Sequence, residues 1–280
     1  MKEKVMYNME RFFSPPQNEN VWIINTGTEL LNGITVNTNA SWLARKLSFL
    51  GFKVKRIIVV PDEFEEFSNE LKRALENKAG IVITTGGLGP TYDDNTLLFI
   101  SKSLKIPYEV NEDALNMVKK VYEAMSEPLT KEREKMAKMP KGSIPLKNPV
   151  GTAPGMMLYY SGSYIISLPG VPSEMKAIFE EDLESVLKMW SKKKVSENII
   201  KVRGIMESAI APLIEKASKK YLNAYIKTHP KGKESNEPYI EIQILATGNT
   251  EEEANKLASE ITSDIINEIE TKFSGGKIER

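Results

Sequence analysis

Residues 80–96 read GIVITTGGLGPTYDDNT, and this stretch joins an apolar run to a glycine-rich loop. The run at 80–85 is typical of a buried parallel strand, because apolar residues follow one another without polar alternation. Three glycines, a proline and two adjacent aspartates come next, and they predict a tight loop. In open α/β sheets, ligands bind at the carboxyl ends of strands, where such loops lie. The stretch therefore predicts a buried strand that ends in a ligand-binding loop.

The segments before this stretch alternate between strand and helix. Apolar runs predict strands at 21–25 and 52–60. Apolar residues at helical spacing predict helices at 38–50 and 65–78. Strand, helix, strand, helix, strand in this order predicts a doubly wound α/β domain with a mostly parallel sheet.

The rest of the chain continues this domain and then adds a smaller one. Helices are predicted at 93–104 and 111–138, with interruptions near Pro107 and Pro128. An irregular segment at 139–155, a hairpin at 156–168 and a helix from Pro172 to Trp190 follow. The pattern then changes to β-α-β-β-α, which is typical of an α+β unit. We expect a poorly ordered leader at 1–20, an α/β domain at 21–191 and a small α+β domain at 192–280.

The composition excludes several kinds of site. The absence of cysteine rules out disulfides, thiolate metal sites and cysteine nucleophiles. A catalytic triad or a histidine metal site would have to use His229, the single histidine, and a lone histidine is more often structural. Any metal ion would be held by oxygen ligands, which favours magnesium, manganese or a similar hard ion.

The charge balance gives no reason to expect a polyanionic partner. Lys and Arg together number 38, as do Asp and Glu, so no net field attracts nucleic acid or an anionic membrane. The sequence contains no apolar run of about 18 residues that would span a membrane. Residues 1–20 lack the apolar core of a signal peptide. We therefore expect a cytoplasmic protein that binds neither nucleic acid nor membrane.

The glycine loop, residues 85–91, has the composition of an anion site. Gly86, Gly87 and Gly89 allow backbone N–H groups to approach a phosphate closely. One of the two aspartates that follow, Asp93 and Asp94, would make a good helix cap. Both cannot cap the same helix, so the second carboxylate favours a bridging cation or a bound hydroxyl group.

Three further segments supply candidate ligand contacts. In 25–33, NTGTELLNG, Glu29 would face the same sheet edge as the two aspartates, although simple solvation of its carboxylate is the alternative. Asn37 and Asn39 lie at a helix start, where capping and contact with a ribose or base are equally consistent with the pattern. The segments 148–155, NPVGTAPG, and 168–174, LPGVPSE, are loops that either serve chain geometry or contact a ligand.

These motifs together resemble the N-terminal domain of the CinA family, which has the MoaB/MogA-like molybdopterin-binding fold. The matching segments are GTELLNGITVNTNASWLARKLSFLGFKV, TTGGLGPTYDDNT, NPVGTAPG, LPGVPSEM and RGIMESAIAPLI. The resemblance implies a three-layer α/β/α domain and a homodimer. It also implies that Leu88 replaces a threonine of the related pterin-handling proteins. Many bacterial members continue into a nicotinamide mononucleotide deamidase domain, and because the sequence ends at Arg280, we do not expect that activity from it.

The resemblance also assigns roles to individual residues. Asp93 and Asp94 would be catalytic and would bind a divalent metal ion (Mg, Mn or Co), and Glu29 would be a further acidic catalytic contact. The substrate contacts implied are Gly27, Thr28, Asn39, Thr85, Gly86, Gly87, Leu88, Gly89, Pro90, Asn148, Gly151, Thr152, Ala153, Gly170, Ser173 and Glu174.

Three functions remain open at this point. The first is metal-dependent hydrolysis of a nucleotide diphosphate such as ADP-ribose or FAD, for which metal-assisted chemistry suits a chain without cysteine. The second is binding or adenylylation of molybdopterin in molybdenum-cofactor assembly. The third is regulation of a partner through the small domain, for which the sequence offers no specific surface.

Overall fold

The computed structural model describes residues 14–231, 238–273 and 277–279. The chain divides into two compact units, the first ending at Ser191 and the second starting at Lys192, apart from Phe49–Gly51, which group with the second. None of the helices within the described ranges combines the length and the apolar character needed to cross a membrane.

The first unit is built from eight strands and eight helices within the described residues. The strands, numbered in chain order, are β1 Asn20–Thr26, β2 Lys53–Val60, β3 Ile81–Thr85, β4 Tyr108–Val110, β5 Lys138–Pro140, β6 Ile144–Leu146, β7 Gly155–Tyr160 and β8 Ser163–Leu168. The helices are α1 Thr28–Leu31, α2 Thr38–Phe49, α3 Phe64–Glu76, α4 Thr96–Leu104, α5 Glu112–Ala124, α6 Lys131–Lys135, α7 Pro172–Ile178 and α8 Glu184–Trp190.

The main sheet of this unit has six strands in the order β2-β1-β3-β8-β7-β6. The first four are mutually parallel, and β7 and β6 run antiparallel to their neighbours. The predicted mostly parallel sheet is therefore confirmed. Strands β4 and β5 form a separate two-stranded ribbon.

Helices cover both faces of the main sheet, as the alternation of side chains along β1 shows. Trp22 and Ile24 belong to a core cluster with residues of α3, α4 and α5. Val21 and Ile23 point to the opposite face and are fully buried. Because both faces are apolar, the strands read as continuous apolar runs. The predicted three-layer α/β domain is confirmed.

Three local predictions differ from the structure. The segment 139–155 contains two short strands, β5 and β6, although its proline and glycine content predicted irregular structure. The predicted helix at 111–138 is present as α5 and α6 with the expected interruption near Pro128, but it ends at Lys135 and Lys138 already belongs to β5. The last helix of the unit contains a π-helical turn at Phe179–Leu183, between α7 and α8. Such turns insert one residue into a helix, and apolar periodicity does not reveal them.

The residues just before β1 are tied to the amino-terminal edge of the sheet. The Ser14 carbonyl accepts a hydrogen bond from the Tyr164 hydroxyl at 2.6 Å. The Gln17 amide N–H donates to the Gly162 carbonyl at 3.1 Å, and Asn18 Nδ2 donates to the Lys78 carbonyl at 2.8 Å. Residues 14–19, expected in a poorly ordered leader, are thus held against the domain. The remainder of that leader, residues 1–13, lies outside the described residues.

The outer strands of the main sheet are β2 at one edge and β6 at the other. In β2, the side chains of Lys53, Lys55 and Arg56 are exposed to solvent. At the other edge, β6 is three residues long and has Pro145 at its centre.

The second unit has the order β-α-β-β-α-β. Its elements are β9 Lys194–Arg203, α9 Glu207–Lys220, β10 Ala224–Pro230, β11 Tyr239–Gly248, α10 Glu251–Lys272 and β12 Lys277–Glu279. The antiparallel sheet has the order β10-β11-β9-β12, and both helices bury their apolar faces against it. The first five elements were predicted, and β12 was not. This order and pairing are those of a ferredoxin-like split β-α-β unit.

Candidate functional site

Three of the predicted loops meet at the carboxyl ends of β1, β3 and β8. The Gly86 N–H donates to the Leu168 carbonyl at 3.0 Å, which joins the glycine loop to the segment that leads into α7. Asn39, in the first turn of α2, donates from Nδ2 to the Gly170 carbonyl at 2.7 Å. Parallel strands bring their carboxyl ends to one edge of the sheet, so loops that are distant in sequence become neighbours here.

Gly86 is the point of closest approach among these loops. Its φ is +97°, in the left-handed region that favours glycine. A Cβ built on Gly86 would lie 2.4 Å from the Thr26 carbonyl oxygen, and one built on Gly170 would lie 3.4 Å from the Gly86 Cα. Only glycine fits at position 86 without moving the backbone of β1.

The start of α4 folds back onto the glycine loop. The Thr96 hydroxyl donates to the Gly86 carbonyl at 2.9 Å, and the Thr96 N–H donates to the Gly87 carbonyl at 3.1 Å. A Cβ on Gly87 would lie 2.3 Å from Thr96 Oγ1, so this second glycine is also required by close packing. The loop is therefore held in one shape by its own helix.

Asp93 and Asp94, hereafter the acidic pair, are organised by Thr91. Asp94 Oδ2 accepts hydrogen bonds from the Thr91 N–H at 2.9 Å and from the Thr91 hydroxyl at 2.6 Å. The same hydroxyl contacts Asp93 Oδ1. The bond from Thr91 lowers the pKa of Asp93 below its usual value, because a hydrogen bond to a carboxylate favours the charged form. Asp93 is therefore ionised at neutral pH.

Neither aspartate caps α4, which answers one of the questions left open by the sequence. The N-cap position belongs to Asn95, which makes no side-chain cap bond. Asn95 Nδ2 donates instead to the Tyr92 carbonyl at 2.7 Å and so braces the loop. The carboxylate of Asp94 lies over Gly89, where a Cβ would come within 2.6 Å of Oδ2.

Lys135 lies beside the acidic pair, although no pattern in the sequence predicted this. Its Nζ donates to the Thr91 carbonyl at 2.6 Å from the end of α6, 44 residues further along the chain. Burial lowers the pKa of the Lys135 ammonium, whereas the charges of Asp94 and Asp93 act in the opposite direction. The following residue, Met136, is buried in the core and anchors the backbone there.

The NPVGTAPG loop, residues 148–155, is held by a single buried asparagine. Asn148 Nδ2 donates to the Ala153 carbonyl at 2.9 Å and to Glu174 Oε2 at 2.6 Å. Its Oδ1 accepts from the Gly151 N–H at 2.8 Å. A Cβ on Gly151 would lie 2.3 Å from the Glu174 carboxyl carbon. The structure therefore brings Asn148, Gly151 and Glu174 together, and so joins two loops that the sequence offered as separate candidates.

The π-helical turn contacts the residue that precedes this loop. Asp182, within that turn, accepts a hydrogen bond from the Lys147 N–H at 2.7 Å. Burial raises the pKa of Asp182 above its usual value, although the bond from Lys147 partly offsets this. No feature of the sequence had singled out Asp182.

Several candidate contact residues have buried side chains, so only their backbone groups could contact a ligand. Leu88 and Ala153 belong to the apolar core. The Thr85 hydroxyl accepts a hydrogen bond from Asn25 Nδ2 at 2.5 Å in the interior of the sheet. Ser173, in contrast, is exposed at the start of α7.

Comparison with known proteins identifies the first unit. A family described as probable molybdopterin binding domain matches residues 22–189, which is more than half of the chain. The chain belongs to this family.

The sequences of two relatives align with most of this molybdopterin-binding domain protein, including both units. A protein of Pyrobaculum arsenaticum is 48% identical over 246 residues, 88% of this chain and 92% of its own length. A protein of Sulfurisphaera tokodaii is 44% identical over 253 residues, 90% of this chain and 95% of its own. The crystal structure of the protein CinA from Thermoplasma acidophilum is 40% identical, with a TM-score of 0.57, and covers 60% of this chain and 98% of its own. The predicted resemblance to CinA is confirmed.

The molybdopterin-binding domain brings two carboxylates together, not three. Among the residues that the structure describes, no group of three or more His, Cys, Asp or Glu side chains could hold a metal ion. Glu29, expected to join the acidic pair, has its carboxylate against Gly27 instead. The neighbouring Thr28 is held by Asp62, which accepts from its N–H at 3.0 Å and from its hydroxyl at 3.1 Å.

Two neighbouring carboxylates nevertheless suit one kind of metal site. Magnesium and similar ions are commonly held by one or two carboxylates, and the remaining positions are taken by water and substrate phosphates. The donor set of the acidic pair is all oxygen, as such ions require. The residues present therefore fit a cation that arrives together with a phosphorylated ligand.

Proposed function

We propose that the protein hydrolyses a nucleotide diphosphate, of the ADP-ribose or FAD class, with the help of a divalent metal ion such as Mg, Mn or Co. The observation that carries the proposal is the acidic pair, which Thr91 orders directly after the glycine loop. Amide groups of that loop suit an anion, and the carboxylates suit the cation that a diphosphate brings with it.

The chemistry requires little covalent participation from the protein. Water adds to one phosphorus atom, the bridging P–O bond breaks, and ADP-ribose yields AMP and ribose 5-phosphate. A bound metal ion would supply charge neutralisation and lower the pKa of the attacking water. Asp93 and Asp94 would hold that ion, and the amides of Gly87 and Gly89 would bind the diphosphate oxygens.

Lys135 adds a fixed positive charge to this arrangement. Its Nζ is anchored on the Thr91 carbonyl, next to the acidic pair. A lysine ammonium in such a position offsets the repulsion between the two carboxylates, and it offers a donor to an incoming phosphate. It is therefore a candidate positioning residue for the diphosphate.

Incubation with ADP-ribose or FAD and each of the three metal ions, followed by chromatography for AMP, tests the proposal. Asp94→Asn is the most informative variant, because its Oδ1 still accepts the bond from the Thr91 N–H while the charge is lost. We expect AMP formation to fall by about 100-fold or more, with an unchanged thermal unfolding midpoint. If the folded wild-type protein forms no AMP from either substrate with any of these ions, hydrolysis is not its function.

The family membership supports a second function, in which a pterin or nucleotide diphosphate is bound or adenylylated for molybdenum-cofactor assembly. The glycine loop and acidic pair suit such a ligand equally well. Mass spectrometry of ligand released from the purified protein distinguishes the two. Recovered molybdopterin, or its adenylylation with ATP, in the absence of ADP-ribose cleavage would favour this second function.

A further inference from the structure

Three unpartnered oxygen atoms are buried at the end of β1 and the start of α2. They are Asn25 Oδ1, Thr26 Oγ1 and Asn39 Oδ1, none of which has a hydrogen-bond partner among the described residues. Asn25 is fully buried, Thr26 is 6% exposed and Asn39 is 8% exposed. A buried polar atom without a partner destabilises the folded state, so each such atom requires a physical reason.

Thr26 and Asn39 belong to one continuous wall of the site. The Thr26 carbonyl contacts Gly86, Gly86 lies against Gly170, and the Gly170 carbonyl accepts from Asn39 Nδ2. Two of the three unpartnered atoms are thus carried by residues that are joined to the glycine loop through successive close contacts.

The roles of the two asparagines at the start of α2 are now distinct. Asn37 Oδ1 accepts from the Ala40 N–H at 3.1 Å and so closes the first turn of the helix. Asn39 has a different role, because its amide group is fixed by Gly170 and its oxygen remains unused. Capping therefore explains Asn37 and does not explain Asn39.

The chemistry of the unused atoms restricts what binds there. The amide oxygen of Asn39 only accepts hydrogen bonds, so a phosphate oxygen cannot satisfy it. The Thr26 hydroxyl both donates and accepts. The carboxylate of Glu29 lies against Gly27, the residue after Thr26, and is a further acceptor. A neutral group with donor and acceptor capacity, such as a sugar hydroxyl, meets all of these requirements.

We propose that Thr26 and Asn39 form a subsite for the sugar hydroxyls that adjoin the diphosphate. The inference rests on the proposed diphosphate function and names the part of the substrate that this wall recognises. Glu29 is exposed and its carboxylate lies against Gly27, and a carboxylate suits a sugar diol, as in dinucleotide-binding folds.

Thr26→Val tests the subsite, because valine keeps the shape of threonine and removes only the hydroxyl. The unliganded variant is expected to gain about 3 °C in melting temperature, because a buried unsatisfied hydroxyl is removed. Its affinity for ADP-ribose, measured by calorimetry with Ca²⁺ to suppress turnover, should fall about tenfold. Its affinity for inorganic pyrophosphate, which has no sugar, should not change.

The chain offers a matched control in Ser68. Its hydroxyl, on α3, is also buried and unpartnered, but α3 supplies none of the loops that form the site. Ser68→Ala should raise the melting temperature similarly and leave both affinities unchanged. Thr26→Ser, which retains the hydroxyl, should bind ADP-ribose as the wild type does.

The outcomes separate the subsite from the proposed hydrolysis. If the wild type binds ADP-ribose without cleaving it, and Thr26→Val weakens only that binding, the subsite stands and hydrolysis fails. Equal loss for ADP-ribose and pyrophosphate, or no loss for either, overturns the subsite. The subsite is also overturned if the wild type binds neither ADP-ribose nor pyrophosphate. The same holds if Thr26→Val lowers the affinity for a pterin diphosphate and leaves the affinity for ADP-ribose unchanged.

Discussion

Replacement of Gly86 by alanine is the perturbation that best tests the packing of the site. The new Cβ would lie 2.4 Å from the Thr26 carbonyl oxygen, a distance that real Cβ atoms do not adopt. Because the obstacle is a backbone atom of β1, the loop must move by an appreciable part of an ångström. That movement strains or breaks the bond from the Gly86 N–H to the Leu168 carbonyl.

The magnitude follows from three contributions to the free energy of unfolding. The left-handed backbone at φ +97° costs a non-glycine residue about 1 kcal/mol. Forced overpacking costs about 2 kcal/mol, and the damaged hydrogen bond about 1 kcal/mol. We therefore expect Gly86→Ala to lose about 4 kcal/mol in total.

Gly142→Ala isolates the first of these contributions. Gly142 has φ +85°, yet no atom lies within 4 Å of a Cβ built on it. This variant should lose only about 1 kcal/mol. Urea unfolding followed by tryptophan fluorescence is the suitable assay, because all three tryptophans lie in the first unit. If Gly86→Ala and Gly142→Ala lose the same free energy of unfolding within about 0.5 kcal/mol, Gly86 has room for a Cβ and the reasoning is wrong.

Three further predictions concern charge and hydrogen bonding around the site. Burial raises the folded-state pKa of Asp182, so its stabilising contribution is complete below the unfolded pKa and is lost as the pH rises through the folded pKa. Asp182→Asn, which still accepts from the Lys147 N–H, should therefore be more stable than the wild type at pH 7, with a difference that vanishes towards about pH 4 in denaturant titrations. Thr91→Val should change the free energy of unfolding by less than about 0.5 kcal/mol, because the loop is exposed, but should weaken Mn²⁺ binding to the acidic pair severalfold in calorimetry. Lys135→Met should weaken pyrophosphate binding about tenfold. Lys131→Met, on the same short helix and with the same loss of charge, should not weaken it. If both variants lose affinity equally, the loss reflects net charge and not the position of Lys135.

The fold of the first unit was largely readable because its signals are local. The runs that became β1 and β3 are apolar on both faces, and this reflects burial directly. The run that became β2 was recognised from its apolar second half, because its first half carries exposed charges. The hairpin of β7 and β8 was predicted from its turn, which contains Gly162 at φ +86°. The strands β5 and β6 were missed because each has three residues, too few for a periodic pattern.

The site was harder to predict from the sequence, because its geometry depends on contacts between distant segments. Lys135 meets Thr91 across 44 residues, and no local pattern in the sequence reports that pairing. Conversely, the sequence placed Glu29 with the acidic pair because both follow strands at the same edge. The structure shows that a shared edge is too coarse a criterion, since the Glu29 carboxylate is directed at its own loop.

The margins of the main sheet bear on how two copies of the chain associate. Strand addition needs an edge with free backbone groups and without charged side chains. The lysines and the arginine along β2 repel an incoming β2 of another copy, and Pro145 removes a donor from the centre of β6. Association through a continuous intermolecular sheet is thereby disfavoured at both margins. A homodimer, if the protein forms the one that its family resemblance implies, is expected to be joined through helical or loop surfaces.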